Sequence, residues 1–227
     1  MKTRTFSRTD NLSLKVADFL RNAIIRGEWK PGERLNELLI ASKLGISRSP
    51  IREAFRILES ENLVDMFSRR GAFVKNLSAD EVQEIYVVIH ALERTALGLA
   101  IKHMDTVREK ELRSIIERLE KNLRKNGSQQ FLTFSMELHH FIIRNSENSL
   151  LIKIYNYLQP QRERLRRFIG MGKKDVAESL KEHLAISRAL LRCDEEEAGE
   201  LLANHFDKGV TRVLKNLQKG KSSTGIS

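Results

Sequence analysis

A chain of 227 residues is long for one typical domain and comfortable for two, and at 41% hydrophobic it can bury substantial cores. With 31% charged residues, no apolar run longer than Ile85–Leu92 and no apolar signal segment at the N-terminus, the composition argues against a membrane span or secretion, so a cytoplasmic location is expected. The net charge of +10 is concentrated early: residues 1–76 hold 15 Lys and Arg against 9 Asp and Glu and the rest 25 against 21, the footprint of a phosphate-binding first third.

Residues 1–9 are polar and basic and read as a flexible arm. Leu12, Val16, Phe19, Leu20, Ala23 and Ile24 follow helical spacing, Gly27 lies near the end of that helix, and Pro31-Gly32 forms the turn that follows. A short helix starts at Leu35 or Asn36 and runs to about Ser42, and the tight turn Leu44-Gly45-Ile46 leads to a second one. Ser47 is its expected N-cap, and Pro50 is tolerated in its first turn. Arg48, Arg52 and Arg56 recur every four residues, so they share one face; Ile51, Ala54, Phe55 and Leu58 lie on the other. A helix-turn-helix needs this division, because one side must dock on a core and the other must enter a DNA groove. Residues 64–67 and 72–75 alternate as two strands, with Arg69-Arg70 before Gly71 as the tip of a wing. Three arginines alone could be an ordinary solvated helix face; the turn, the serines and the basic hairpin favour DNA. Residues 10–76 are therefore expected to form a winged helix-turn-helix.

Beyond Asn76 the pattern is helical throughout. Val82, Ile85, Tyr86, Ile89, Leu92, Ala96 and Ala100 mark a long helix, with Ser78 and Glu81 as its capping box. Further helices are predicted at about 107–125, 128–146, 149–168, 174–192 and 195–217, punctuated by Gly127, Gly170 and Gly172, with a kink at Pro160. Six helices with short connections imply an antiparallel all-α bundle over 77–218, followed by a disordered polar tail at 219–227. The single cysteine, Cys193, excludes an internal disulfide and, beside Leu190 and Leu191, is expected to serve in helix packing. The fold class is thus mainly α.

His139, His183 and His205 fall on three different helices, each on the apolar side. Any one of them could be a hydrogen-bonded core residue. A buried imidazole needs a partner, and three that converge would suit a borderline ion such as zinc or nickel, though periodicity alone does not make them converge.

The segments P-G-E-R-L-N-E, L-G-I-S-R-S-P-I-R-E-A and R-R-G-A-F-V resemble the winged helix-turn-helix of GntR-family bacterial transcription regulators. Ser49-Pro50 and Phe55 are mild variants of the usual Thr-Pro and Leu. The segments L-H-H-F-I-I-R-N-S-E-N-S-L-L, K-E-H-L-A-I and A-N-H-F resemble the ligand-bearing parts of the FCD effector domain found in the FadR branch. The resemblance implies a homodimeric regulator, in the repressor mould, that binds a palindromic double-stranded operator and a small-molecule effector such as an organic acid. It is not expected to be an enzyme. The implied DNA-binding residues are Arg34, Ser47, Arg48, Ser49, Arg52, Arg69, Arg70 and Gly71. The dimer contact is expected in the early helices of the effector domain, through Val87, Val88 and Leu97. His139, His183 and His205 occupy the family's histidine positions for a divalent metal, zinc or nickel.

Two departures stand out. Ser135 occupies the place of a metal-ligating aspartate, and Ile89 the place of an arginine that helps hold a carboxylate effector four residues before Glu93. His90, Arg94, Ser135 and Arg166 remain as effector-binding candidates. Two other classes of function compete with this reading. A three-histidine hydrolase would need a general base such as Glu137 or Glu182, but the chain has no H-E-x-x-H. A nucleoid-type protein would bind DNA without an effector and without sequence preference.

Overall fold

The computed structural model describes residues 12–124, 131–167 and 173–223; for 131–134, 167, 173 and 219–223 it describes the backbone alone. The expected arm and the glycines 127, 170 and 172 lie outside the described residues. Two compact units emerge: residues up to Glu81 together with Tyr157–Arg167, and Val82–Asn156 together with residues from Phe168 onward.

In the first unit, helix α1 (Leu12–Ile25) buries Val16, Ala17, Leu20, Ala23 and Ile24. Strand β1 (Arg34–Leu35) precedes α2 (Glu37–Leu44), so Leu35 belongs to a strand and not to the helix expected there. Asn36 caps α2 by accepting from the backbone N–H groups of Leu38 and Leu39 at 3.0 and 3.2 Å. Gly45 ends it at φ +66°, a left-handed conformation that a side chain would strain. This sharp stop sets the angle of α3 (Arg48–Ser60). Ser47 holds the N-cap position in extended backbone, but its hydroxyl makes no capping hydrogen bond. Its exposure leaves that hydroxyl available for another acceptor.

Ile51, Ala54, Phe55 and Leu58 of α3 are buried with Val16, Leu20, Ile40 and Leu44 in one apolar cluster. Burying each of the larger side chains stabilises the unit by about 1.5–3 kcal/mol. Arg21 of α1 grips Glu61 with two hydrogen bonds, 2.6 Å from Nε and 2.5 Å from Nη2, and ties α1 to the end of α3. Strands β2 (Val64–Phe67) and β3 (Gly71–Val74) pair antiparallel, and β1 adds to the other edge of β3, giving the order β1-β3-β2.

Helix α4 (Ala79–Lys102) starts at the expected capping box: Ser78 N–H donates to Glu81 at 3.1 Å, and Glu81 N–H donates to the Ser78 hydroxyl at 3.0 Å. The break between the two compact units falls inside α4, after Glu81. The first unit also claims the second half of α7 (Ser149–Arg167). Tyr157 donates its hydroxyl proton to the Ser60 carbonyl, Gln161 donates to the Glu61 carbonyl at 3.1 Å, and Arg164 donates to the Lys75 carbonyl. These acceptors are carbonyls left over where a helix and a strand end. Arg164 is buried, and its burial lowers its pKa to about 10 although Glu81 and Asp65 favour the charged form.

The second unit is all-helical: most of α4, then α5 (Thr106–Arg124), α6 (Phe131–Asn145), the start of α7, α8 (Lys173–Leu191) and α9 (Glu195–Ser223). Ile89, Leu112, Leu119, Leu138, Phe141 and Leu190 lie in its core. Helix α5 packs on α6 and α8, and α8 on α9. Short polar turns join them: Asp105, Asn148 and Asp194 each cap the following helix through a side-chain oxygen. Cys193 lies in the α8–α9 turn, exposed and at φ +56°, and does not pack between helices as expected. Helix α9 runs on to Ser223, past Lys219 where the sequence pattern weakens. Among the described residues no helix is long and apolar enough to cross a membrane.

Candidate nucleic-acid interface and candidate metal centre

On α3 the two faces separate as the sequence predicts. Arg48, Arg52 and Arg56 are exposed, as are Ser47 and Ser49 at its start. Arg48 and Arg52 are not free, however. Arg48 Nε donates to Glu37 Oε1 at 2.5 Å, and Arg52 Nε donates to Glu37 Oε2 at 3.0 Å. Burial opposes ionisation of Glu37, but the two arginines outweigh it and hold the carboxyl below its usual pKa.

At the wing, Arg69 adopts φ +62° and Gly71 φ +93°, which turns the chain tightly between β2 and β3. A Cβ on Gly71 would lie 3.7 Å from Arg34 Nε, so Arg34 lies beside the wing. Arg70 stands over the rings of Phe67 and Phe73, 5.5 and 5.7 Å from their centroids. Arg34, Arg69 and Arg70 are all exposed. The first unit therefore carries cations and hydroxyls on the recognition helix and at the wing, the two elements with which a winged helix touches a duplex.

In the second unit, His139 from α6, His183 from α8 and His205 from α9 converge, their nearest ring nitrogens all within 4.8 Å of one another. His139 and His183 are buried, and His205 nearly so. Each ring is anchored through Nδ1. His139 donates to Glu93 Oε2 at 2.5 Å, His183 to the Ser179 carbonyl at 2.6 Å, and His205 to Glu182 Oε2 at 2.8 Å. A neutral imidazole with its proton on Nδ1 has its lone pair on Nε2. Nε2 of His139 and Nε2 of His183 are 3.3 Å apart. Two lone pairs at that distance repel unless a cation or proton lies between them. Two nitrogens bound tetrahedrally to one zinc at about 2.0–2.1 Å stand roughly 3.3 Å from each other. The donor set therefore fits a divalent metal, with Glu93, Ser179 and Glu182 fixing ring tautomers as outer partners of metal-bound histidines do.

Glu93 is fully buried and also accepts from the Tyr155 hydroxyl at 2.8 Å. Glu182 is further held by Lys208 at 2.9 Å, and these partners outweigh burial to lower its pKa. It orients His205 and is not placed as a free general base; Glu137 is likewise paired, with Arg118 at 2.7 Å. Ser135 is buried one turn before His139.

The other effector candidates separate. His90 stacks on Phe206 at 5.1 Å, and its Nε2 is buried without a hydrogen-bond partner among the described residues. Phe206 is the neighbour of His205, and its ring lies 6.1 Å from His139. Arg94 is engaged by Glu195 at 3.5 Å, ten residues and about 15 Å along α9 from His205. Arg166 falls in the part of α7 grouped with the winged helix. Sequence reasoning missed Glu37, Tyr155 and Ser179. The partners of Glu37 and Tyr155 lie at separations that carry no periodic signal, and Ser179 acts through its own backbone carbonyl.

A winged helix-turn-helix with a cationic recognition face, followed by an all-helical unit with a polar centre in its core, is the architecture of a DNA-binding regulator with a second, all-α domain. Residues 12–74 match the family described as bacterial regulatory proteins, gntR family, and residues 84–208 match the FCD domain. The chain belongs to the GntR family and is a transcription regulator with a C-terminal FCD domain. It is 30% identical to the HTH-type transcriptional regulator YdhC of Bacillus subtilis (strain 168), over 92% of this chain and 94% of the relative. It is 33% identical to the gluconate operon transcriptional repressor of the same organism, over 66% of this chain and 61% of that protein. The fold is similar to that of E. coli McbR/YncC, at a TM-score of 0.73 and 22% identity over 91% of this chain and 98% of the other. These relatives are regulators and not enzymes, in agreement with the paired state of Glu137 and Glu182.

Proposed function

We propose that the chain is a cytoplasmic, homodimeric repressor of the FadR type, and that a divalent metal and a small-molecule effector in the FCD domain set its operator affinity. The observation that carries the sensor half is the convergence of three imidazole rings, each anchored through Nδ1, with the Nε2 atoms of His139 and His183 facing each other. His139, His183 and His205 would hold the metal, which would supply a Lewis-acidic docking point for an effector oxygen. The Nε2 of His90, buried with no partner among the described residues, offers a further hydrogen bond to that effector. Repression is favoured by the likeness to the gluconate operon repressor. Coupling between the sites must be reciprocal, so operator DNA should change effector affinity by the factor by which effector changes operator affinity.

The DNA-reading half rests on Arg48, Arg52 and the wing, with Arg34, Ser47 and Ser49 beside them. Arginine's fork matches the two acceptors of guanine in the major groove. The test starts by selecting an operator from a randomised duplex library with the wild-type protein. Arg52→Ala should then lose about 1–3 kcal/mol on the selected duplex and much less on an unrelated one. Equal losses on both would mean a phosphate contact, and no loss on either would remove Arg52 from the interface.

A further inference from the structure

Glu37 is the first residue of α2, in the same winged unit as α3, and its two carboxylate oxygens are divided between two arginines of that helix. Both arginines are bound through Nε, the inner nitrogen of the guanidinium. Both remain about half exposed, Arg48 at 51% and Arg52 at 60%, whereas Glu37 is exposed to only 20%. A guanidinium held by Nε keeps its terminal N–H groups for another acceptor. The backbone that carries the carboxylate is itself held, because Asn36 caps the first turn of α2.

We propose that Glu37 is a specificity-determining residue of this regulator: it aims the outer N–H groups of Arg48 and Arg52 at base edges and withholds their charge from the phosphates of unrelated DNA. The proposal rests on the reading that these two arginines meet DNA. Two long side chains lose rotamer freedom on binding a base, and an ion pair already formed in the free protein has removed part of that loss. The same carboxylate repels a phosphate that approaches without the matching bases, so discrimination comes from a repulsive element as well as an attractive one. Glu37 touches no base in this scheme and acts through the arginines.

The test uses the full-length chain, the duplex that it enriches from a randomised library, and an unrelated duplex of equal length. Glu37→Gln keeps the shape and removes the charge. Affinity for the unrelated duplex should rise, its salt dependence should steepen by about one counterion, and the ratio of selected to unrelated affinity should fall about tenfold. In an Arg48→Ala/Arg52→Ala background the Glu37→Gln change should have no effect on that ratio. Glu37→Asp, which keeps the charge, should retain the weak binding to unrelated DNA, and so separates loss of charge from damage to the fold. An unchanged ratio for Glu37→Gln, in a protein where Arg52→Ala does weaken operator binding, would overturn the proposal. If Arg48→Ala and Arg52→Ala both leave DNA binding intact, the DNA-reading assignment itself fails.

Discussion

Ser135 stands one turn before His139 and is buried, at the place where resemblance to FCD domains expects an aspartate. Its hydroxyl is a neutral, weak donor, so the three histidines would hold a metal without a charged ligand and release it to mild chelation. Ser135→Asp adds the missing anion. The expected outcome is a higher melting temperature in added zinc, since a ligand present at about 100 times its dissociation constant stabilises a fold by about 2.7 kcal/mol. Without metal the same substitution buries a carboxylate and lowers the melting temperature. A loss of stability of the same size with and without zinc would mean that the histidines bind no metal. Thermal unfolding of both proteins in chelator and in zinc decides between these outcomes.

At the scale of the element, the start of α4 depends on one carboxylate. Burial penalises the ionised form of Glu81, but the Ser78 backbone N–H and Lys75 outweigh this and lower its pKa. The folded-state pKa therefore lies below the unfolded one, and the capping stabilisation is complete above the unfolded value. It is lost as pH falls through the folded value. Glu81→Gln should destabilise the protein at neutral pH and flatten the acid limb of its stability profile, read by urea unfolding at a series of pH values. A profile parallel to wild type would show that the capping box contributes nothing through its charge. The recognition helix is bound differently, through its buried Phe55 and Leu58 and through carbonyls at its end that Tyr157 and Gln161 of α7 occupy.

For the whole molecule, the expectation concerns assembly. One recognition helix covers only a few base pairs, and a two-fold dimer doubles the site by reading a palindrome. On α4, Val87 and Val88 are 68% and 45% exposed and offer an apolar face, whereas Leu97, expected beside them, is fully buried within its own chain. The burial of Leu97 narrows the candidate interface to the first half of α4. Sedimentation at micromolar concentration should give twice the 26.2 kDa chain mass, and Val87→Glu together with Val88→Glu should give the monomer. A wild-type protein that remains monomeric on its operator would refute the arrangement.

Periodicity together with local turn and capping residues is enough to place the recognition helix, the wing, the capping box of α4 and the six later helices, because those features depend on residues within a turn or two of one another. The three histidines could be assigned to apolar helix faces for the same reason. Their convergence, and the acceptors that fix their tautomers, depend on packing between α4, α6, α8 and α9, which brings Glu93 to His139 across 46 positions. The pairing of Glu37 with Arg48 and Arg52 likewise arises only when α2 and α3 fold against each other, as does the attachment of the second half of α7 to the winged helix. Spacing in a helix dictates which face a side chain occupies; which groups meet across that face is set by tertiary contacts that leave no period in the chain.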